Sequence, residues 1–329
     1  MRRREFIKAA SGMLAASALV ACTAPFSRAT AVLAGAHADR SLDAAAFHAE
    51  RCVARTRYGA VAYVERGIGD TALFLHGFPL NGFQWRGAIE RLSPYRRCIA
   101  PDFLGLGYTE PATGEDFTPE AQVGMLVALL DELSIPAVDI VANDSGGQAA
   151  QIFIARHPER VRSLLLTNCD TEIDSPPPAL QPVIDMSKRG EFVDQWLAPW
   201  RANPLLARSP QGIGGMCYTD PAHPTNEAIE VYFAPLVDSA VRKSQTHAYA
   251  VALERNPLTG IGHALRRFRG PVRIVWGTAD DIFSAESPDF LDRAFGNSRG
   301  VRRLEGRKLF WPEELPEVVA EEARALWDV

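Results

Sequence analysis

The chain has 329 residues, 47% of them hydrophobic and 23% charged, a balance that belongs to folded globular proteins and excludes a disordered or fibrous chain. That length holds one large α/β domain or two small ones, with cores that need no disulfide staples. The net charge of −5 is mild, and no basic stripe with interleaved aromatics appears, so nucleic acid is not an expected partner.

The amino terminus reads Met1-Arg2-Arg3-Arg4-Glu5-Phe6-Ile7-Lys8, which resembles a twin-arginine export signal. The apolar stretch at 9–21 is too short and too rich in Ala and Ser for a membrane span. It ends in Leu19-Val20-Ala21-Cys22, which resembles a bacterial lipobox and would make Cys22 a lipidated residue. The other reading is cleavage near residues 34–36, giving a soluble exported protein. Residues 1–36 are therefore read as export signal and linker, and the protein as periplasmic or as a lipoprotein anchored to a membrane. The remaining cysteines, Cys52, Cys98, Cys169 and Cys217, show no metal-like spacing and read as small buried hydrophobes.

Beyond an Ala-rich linker the pattern alternates strand and helix. Apolar runs predict strands at 61–64, 71–75 and 97–100. Helical spacing fits 121–133, with Val123, Leu126, Val127 and Leu130 on one face. A strand at 138–142 runs into Asn143-Asp144-Ser145-Gly146-Gly147, a helix follows at 148–156, and a strand at 161–167. From 171 to about 260 the pattern breaks into Pro clusters, Trp and Tyr residues and helix-like stretches. Strands resume at 272–276 and 301–304. The alternation predicts a mostly parallel sheet with helices on both faces. The core would occupy 50–170 and 263–329, and an inserted helical cap 171–262, over the strand ends where such sheets bind ligands.

The chemistry centres on Val141-Ala142-Asn143-Asp144-Ser145-Gly146-Gly147. A nucleophile on a sharp strand-to-helix turn needs small residues two before and two after it. Asp144 meets that requirement with Ala142 and Gly146; Ser145 would have Asn143 and Gly147, a poorer fit. The bland alternative is an acid or serine that merely caps the helix. His76-Gly77-Phe78-Pro79, at another strand end, is the second element: the Phe78 and Ser145 N–H groups would converge as an oxyanion hole, with His76 orienting the loop. The third is Trp276-Gly277-Thr278-Ala279-Asp280-Asp281, where Asp280 would orient a base. Asp281 and Asp170 are the alternative acids.

Together these motifs resemble the α/β-hydrolase superfamily from about Tyr58 to Trp327. The Asp-centred elbow and the HGFP loop are similar to the epoxide hydrolases and haloalkane dehalogenases of that fold. The resemblance implies a histidine after the last strand, inside a Gly-x-x-His stretch. Here the segment is Glu305-Gly306-Arg307-Lys308-Leu309-Phe310-Trp311-Pro312, and Lys308 is read at the histidine position. A lysine, with a reference pKa of ~10.4, is normally protonated and cannot activate water unless burial lowers it. Beside Asp280 it would instead stay cationic and form an ion pair. His157, His223, His247 and His263 are poor substitutes. In a dehalogenase an N–H donor near the elbow would hold the halide, but Ser145 follows Asp144. Trp196, Trp200 and Trp276 read as packing residues, as does Trp85, which is also kept as a candidate for the pocket. An epoxide hydrolase would use cap tyrosines, so Tyr218, Tyr232 and Tyr249, with Trp85, are the candidate pocket residues.

The leading expectation is a hydrolase of a small apolar epoxide, halide or ester, with Asp144 as nucleophile, Asp280 as its supporting acid and Lys308 in place of the base. The alternatives are a non-hydrolytic binding protein or pseudoenzyme on the same fold, and a serine esterase using Ser145. A small-molecule substrate is implied. No metal cluster, dinucleotide fingerprint or phosphate loop appears, so no cofactor is expected.

Overall fold

The structure is a computed structural model and describes residues 42–329. The export signal and Cys22 lie outside the described residues. Nine strands form one sheet: β1 (Arg51–Thr56), β2 (Gly59–Arg66), β3 (Thr71–Leu75), β4 (Arg97–Pro101), β5 (Glu110–Pro111), β6 (Val138–Asp144), β7 (Val161–Cys169), β8 (Val272–Gly277) and β9 (Ser298–Leu304). The spatial order is β1-β2-β4-β3-β6-β7-β8-β9, with β5 paired to β2. β1, β4 and β5 pair antiparallel with β2, and every pairing from β4 to β9 is parallel. The expected mostly parallel central sheet with helices between its strands is thus present.

The inner strands are mostly apolar and buried, as suits a parallel sheet covered by helices on both faces. All five residues of β3 are buried, as are the first six of β6. β9, at the edge, is half-exposed and carries Arg299, Arg302 and Arg303, charges that suit a strand with one open side. β1 was not expected from the sequence. It is a partly exposed strand with charged residues at both Arg51 and Arg55 and no clean apolar alternation.

The chain leaves β3 toward β4 on one side and returns to form β6 on the other. The carboxyl ends of β3 and β6 therefore flank the switch point of the sheet, where a crevice opens. β3 delivers His76-Gly77-Phe78 to that crevice, and β6 delivers Asp144.

Between β7 and β8 the regular elements are all helical, from Gln181–Lys188 through Asn226–Val237 and Ala240–Ala252 to Gly262–Arg267. No described helix is long and apolar enough to cross a membrane. The inserted segment is tied to the sheet domain by polar contacts. The Asn81 amide donates to the Val231 carbonyl at 2.9 Å, and the Arg242 guanidinium reaches the Thr109 carbonyl at 2.8 Å.

The strongest tie is a buried carboxylate. Glu313 accepts from Arg86 at 2.8 Å on one oxygen, and from the hydroxyls of Tyr218 (2.6 Å) and Tyr232 (2.9 Å) on the other. Tyr218, just past the cap helix Ile213–Cys217, and Tyr232, in the cap helix Asn226–Val237, are thereby fastened to the short helix Trp311–Glu314. Removing one member of a buried ionic cluster leaves the others without partners, at a cost of about 3–5 kcal/mol. Glu313→Ala is expected to lower unfolding stability by that order in a urea titration. A loss below about 1 kcal/mol, the size of an exposed pair, would show that the cluster holds little.

Candidate active site

β6 does not end in a relaxed turn. Asp144 sits at φ 55°, ψ −131°, a conformation that side-chain-bearing residues rarely adopt, and the helix Ser145–Arg156 begins at the next residue. The turn is tight because its neighbours are small. A Cβ on Gly146 would come within 2.4 Å of the Leu75 carbonyl oxygen, and one on Gly77 within 2.7 Å of Asp144 Oδ2. The strained residue is thus Asp144, whereas Ser145 is the first helical residue. The Ser145 hydroxyl is buried and accepts a 3.1 Å bond from Tyr249.

The Asp144 carboxyl is gripped from the β3 loop. Phe78 N–H donates to Oδ2 at 3.0 Å, and Ser145 N–H also stabilises the ionised form. Burial, followed by the nearby Asp170, still pushes the Asp144 carboxyl well above the ordinary carboxylate range. The loop is held by His76, which is fully buried and kept neutral by that burial. Its Nε2 accepts from Phe103 N–H at 3.1 Å, so the ring proton lies on Nδ1 and is donated to the Gly77 carbonyl.

Beneath the turn runs a chain of buried amides. Gly77 N–H donates to Gln84 Oε1 (2.9 Å), Gln84 Nε2 to Asn143 Oδ1 (2.7 Å), and Asn143 Nδ2 to the carbonyls of Asn168 (3.0 Å) and Leu309 (3.2 Å). Asn168 Nδ2 then donates to Asp280 Oδ2 at 2.8 Å, while its Oδ1 accepts from Gly277 N–H at 2.7 Å and Trp311 Nε1 at 3.1 Å. Two asparagines thus lock together the ends of β3, β6, β7 and β8 and the loop after β9.

Above Asp144 lies a cavity that opens to solvent at its mouth. Its walls are apolar and aromatic, with Phe78, Phe192, Trp196, Trp200 and Phe283 prominent. The polar exceptions are Asp144, Asp170 and the Cys217 thiol, which burial keeps protonated. No lysine, arginine or histidine among the described residues lines it. Among the described residues no group of His, Cys, Asp and Glu is placed to hold a metal ion.

Several expectations need correction. Lys308 is not at the cavity and does not meet Asp280: its ammonium donates to the Gly215 carbonyl, and its backbone N–H to Thr219 Oγ1 at 3.0 Å. The side chain after β9 that reaches the cavity is Leu309. Counting three residues on from Gly306 gives Leu309, so the spacing held that signal. Trp85 is wholly buried beside Phe74, outside the cavity. Tyr218 and Tyr232 face Glu313 instead. Tyr249 is not a cavity wall but stacks on Phe78 with centroids 5.4 Å apart. Trp196 and Trp200, read as packing residues, are cavity walls. Trp196 sits in a single π turn, Val193–Leu197, an irregularity frequent at functional sites. Asp280 stands behind the cavity, held by Asn168 and by Ile282 N–H at 2.9 Å, with burial raising its pKa to about 6.

A family model described as alpha/beta hydrolase fold matches residues 72–310. A haloalkane dehalogenase of Mesorhizobium japonicum is 42% identical over 106 residues, 32% of this chain and 34% of the relative. Epoxide hydrolase 2 of Siraitia grosvenorii is 42% identical over 101 residues, 30% of this chain and 32% of the relative. The match spans about a third of the length of these curated relatives. A solved epoxide hydrolase, CorEH, superposes with a TM-score of 0.67 at 21% identity, covering 84% of this chain and 98% of that one.

The buried acids make stability depend on pH. Asp170, raised by burial from 3.8 to about 7, and Asp280, raised to about 6, hold their protons to higher pH when folded than when unfolded. The stability they contribute is intact below the unfolded value and is lost as pH rises through the folded ones. The melting temperature is expected to fall between about pH 4 and pH 7, and Asp170→Asn to flatten that fall and melt higher at pH 8. A variant that melts below the wild type at pH 8 would contradict it.

Proposed function

The chain belongs to the alpha/beta hydrolase fold family, and on that premise we propose that it is a hydrolase of a small, neutral, largely apolar substrate, acting through an ester on Asp144. One observation carries the reading. A carboxyl at the apex of a strained turn, with one oxygen held by backbone N–H, forms the floor of a cavity without cations.

Holding Oδ2 leaves Oδ1 as the attacking atom. It displaces a halide, which departs as the anion, or opens an epoxide, whose oxygen takes a proton from solvent, and forms an alkyl ester. The carbonyl oxygen of that ester is then already at the Phe78 and Ser145 N–H groups. They would stabilise the oxyanion when water attacks the ester carbonyl. Attack requires Asp144 to be ionised, so ester formation should accelerate as pH rises. The aromatic walls suit an apolar substrate. A substrate carboxylate would meet Asp144 and Asp170 with no positive partner, a costly burial.

A second reading, a binding protein on the same fold, draws support from the absence of a histidine at the cavity and from Leu309 at its wall. A serine esterase on Ser145 draws less, since that hydroxyl is bonded to Tyr249.

Mass spectrometry after incubation with epoxides, haloalkanes and activated esters separates the readings. A substrate-sized adduct on the Asp144 peptide, absent in Asp144→Asn, is expected, with neutral haloalkanes preferred over halo-carboxylates of equal length by roughly tenfold or more in kcat/KM. Binding without adduct or turnover would favour the second reading, and an adduct on Ser145 the third.

The amino-terminal motifs support export and a lipid anchor as further proposals. Metabolic labelling with a fatty acid should tag the wild type and not Cys22→Ala; equal or absent labelling in both would leave the anchor without support.

A further inference from the structure

We propose that Asp170 is the catalytic base that activates the water releasing the Asp144 ester, a role that rests on the Asp144 reading above. Asp144 and Asp170 are the carboxylic side chains that line the cavity. They come from adjacent parallel strands: Asp144 of β6 lies opposite Cys169 of β7, and Asp170 is the next residue. Neighbouring strands run about 4.8 Å apart, so a water between the two side chains could touch both.

Asp170 is also rigidly aimed. Its Oδ1 accepts from the Ser175 hydroxyl at 2.9 Å, and that hydroxyl accepts from Gln148 Nε2 at 2.9 Å. Its backbone carbonyl accepts from Gln151 Nε2 at 2.8 Å. Gln148 and Gln151 both belong to the helix Ser145–Arg156 that follows Asp144 directly, so the two acids share one rigid support. The groups facing Asp170 are Asp144 from β6, Asp174 from its own loop, the Cys169 thiol and Tyr249 from the cap. None is a cation, and Asp170 has no ion pair among the described residues. A carboxylate without a cationic partner in an apolar cavity is a stronger base than one in water. Burial raises its pKa to about 7, suited to taking a proton near neutrality.

The other candidates fail on position. Lys308 is turned to the Gly215 carbonyl, Asp280 is occupied by N–H donors behind the wall, and Leu309 has no proton to move.

The step closes chemically. Water oxygen attacks the ester carbonyl carbon while one water proton passes to the Asp170 carboxylate. The tetrahedral oxyanion sits at the Phe78 and Ser145 N–H groups. Its collapse breaks the bond from the carbonyl carbon to the alkyl oxygen, and the departing alkoxide takes the proton from Asp170 and leaves as the alcohol. Asp144 keeps one oxygen from water and releases its proton to solvent.

Rapid-quench single-turnover mass spectrometry in ¹⁸O-water, on wild type, Asp170→Asn and Asp170→Glu, tests this. The wild type should form the ester, release it and carry ¹⁸O in the Asp144 peptide, with a release rate rising through neutral pH. Asp170→Asn should form the ester as fast or faster, because a like charge beside Asp144 is gone. It should release it about a hundredfold more slowly, without the inflection near neutrality. Asp170→Glu should restore part of the release. Opposite effects on the two steps are not what a merely structural role produces. Release from Asp170→Asn at the wild-type rate and pH profile would overturn the role of Asp170 and leave Asp144 standing. So would an equal slowing of both steps. A wild type that forms no ester would overturn both.

Discussion

The site depends on how closely the end of β6 approaches the end of β3. Asp144 can hold its strained backbone only because Gly146 lets the first helical turn pass against the carbonyl of Leu75, and because Gly77 leaves space for the Asp144 carboxyl. Any side chain at either glycine would separate the carboxyl from the Phe78 N–H. The strain is borne by neighbours that cannot relax: β6 pairs with β3 and β7, and Asn143 is bonded on both sides. One residue before the apex, an amide carries hydrogen bonds to three other segments. A single change there would loosen the β3 loop and the loop after β9 together.

The electrostatics follow from the same enclosure. Three acids, Asp144, Asp170 and Asp280, sit in or behind an apolar cavity, and none has a cationic partner among the described residues. Their ionisation is supported by dipoles alone: backbone N–H groups, one serine hydroxyl and the Asn168 amide. Dipoles support an anion less than a charge does, so the pKa values rise. Where a cation is present, at Arg86, the acid it meets is Glu313, outside the cavity. Asp139, paired with Arg96 and Arg162 within the sheet domain, is likewise a neutralised acid away from the cavity.

The parts that were legible in the sequence are local ones. β3, β6 and β7 are largely apolar runs, and the elbow is a short pattern of small residues around an acid, so both could be read within a few positions. β1 was illegible because its charged residues at an exposed edge hide the alternation. The residues facing the cavity were harder, because facing is a tertiary property. Lysine at 308 draws attention as a chemical group and leucine at 309 does not, yet one step along an irregular loop decides which points inward. Tyr218 and Tyr232 were plausible substrate donors until Glu313, 95 and 81 positions away, took both hydroxyls. Trp196 is the converse: an aromatic that looked like core and is wall.

The cavity is assembled from the sheet domain and the insertion. Asp144, Asp170 and the Phe78 loop come from the sheet, whereas Leu180, Val183, Phe192, Trp196, Trp200 and Met216 come from the insertion. Selectivity and reactivity are thereby inherited separately. Exchanging a tryptophan for a smaller residue in the insertion redraws the outline of what is admitted, and leaves the strained turn and its amides as they were. A lineage built on this plan can change its diet without relearning its chemistry.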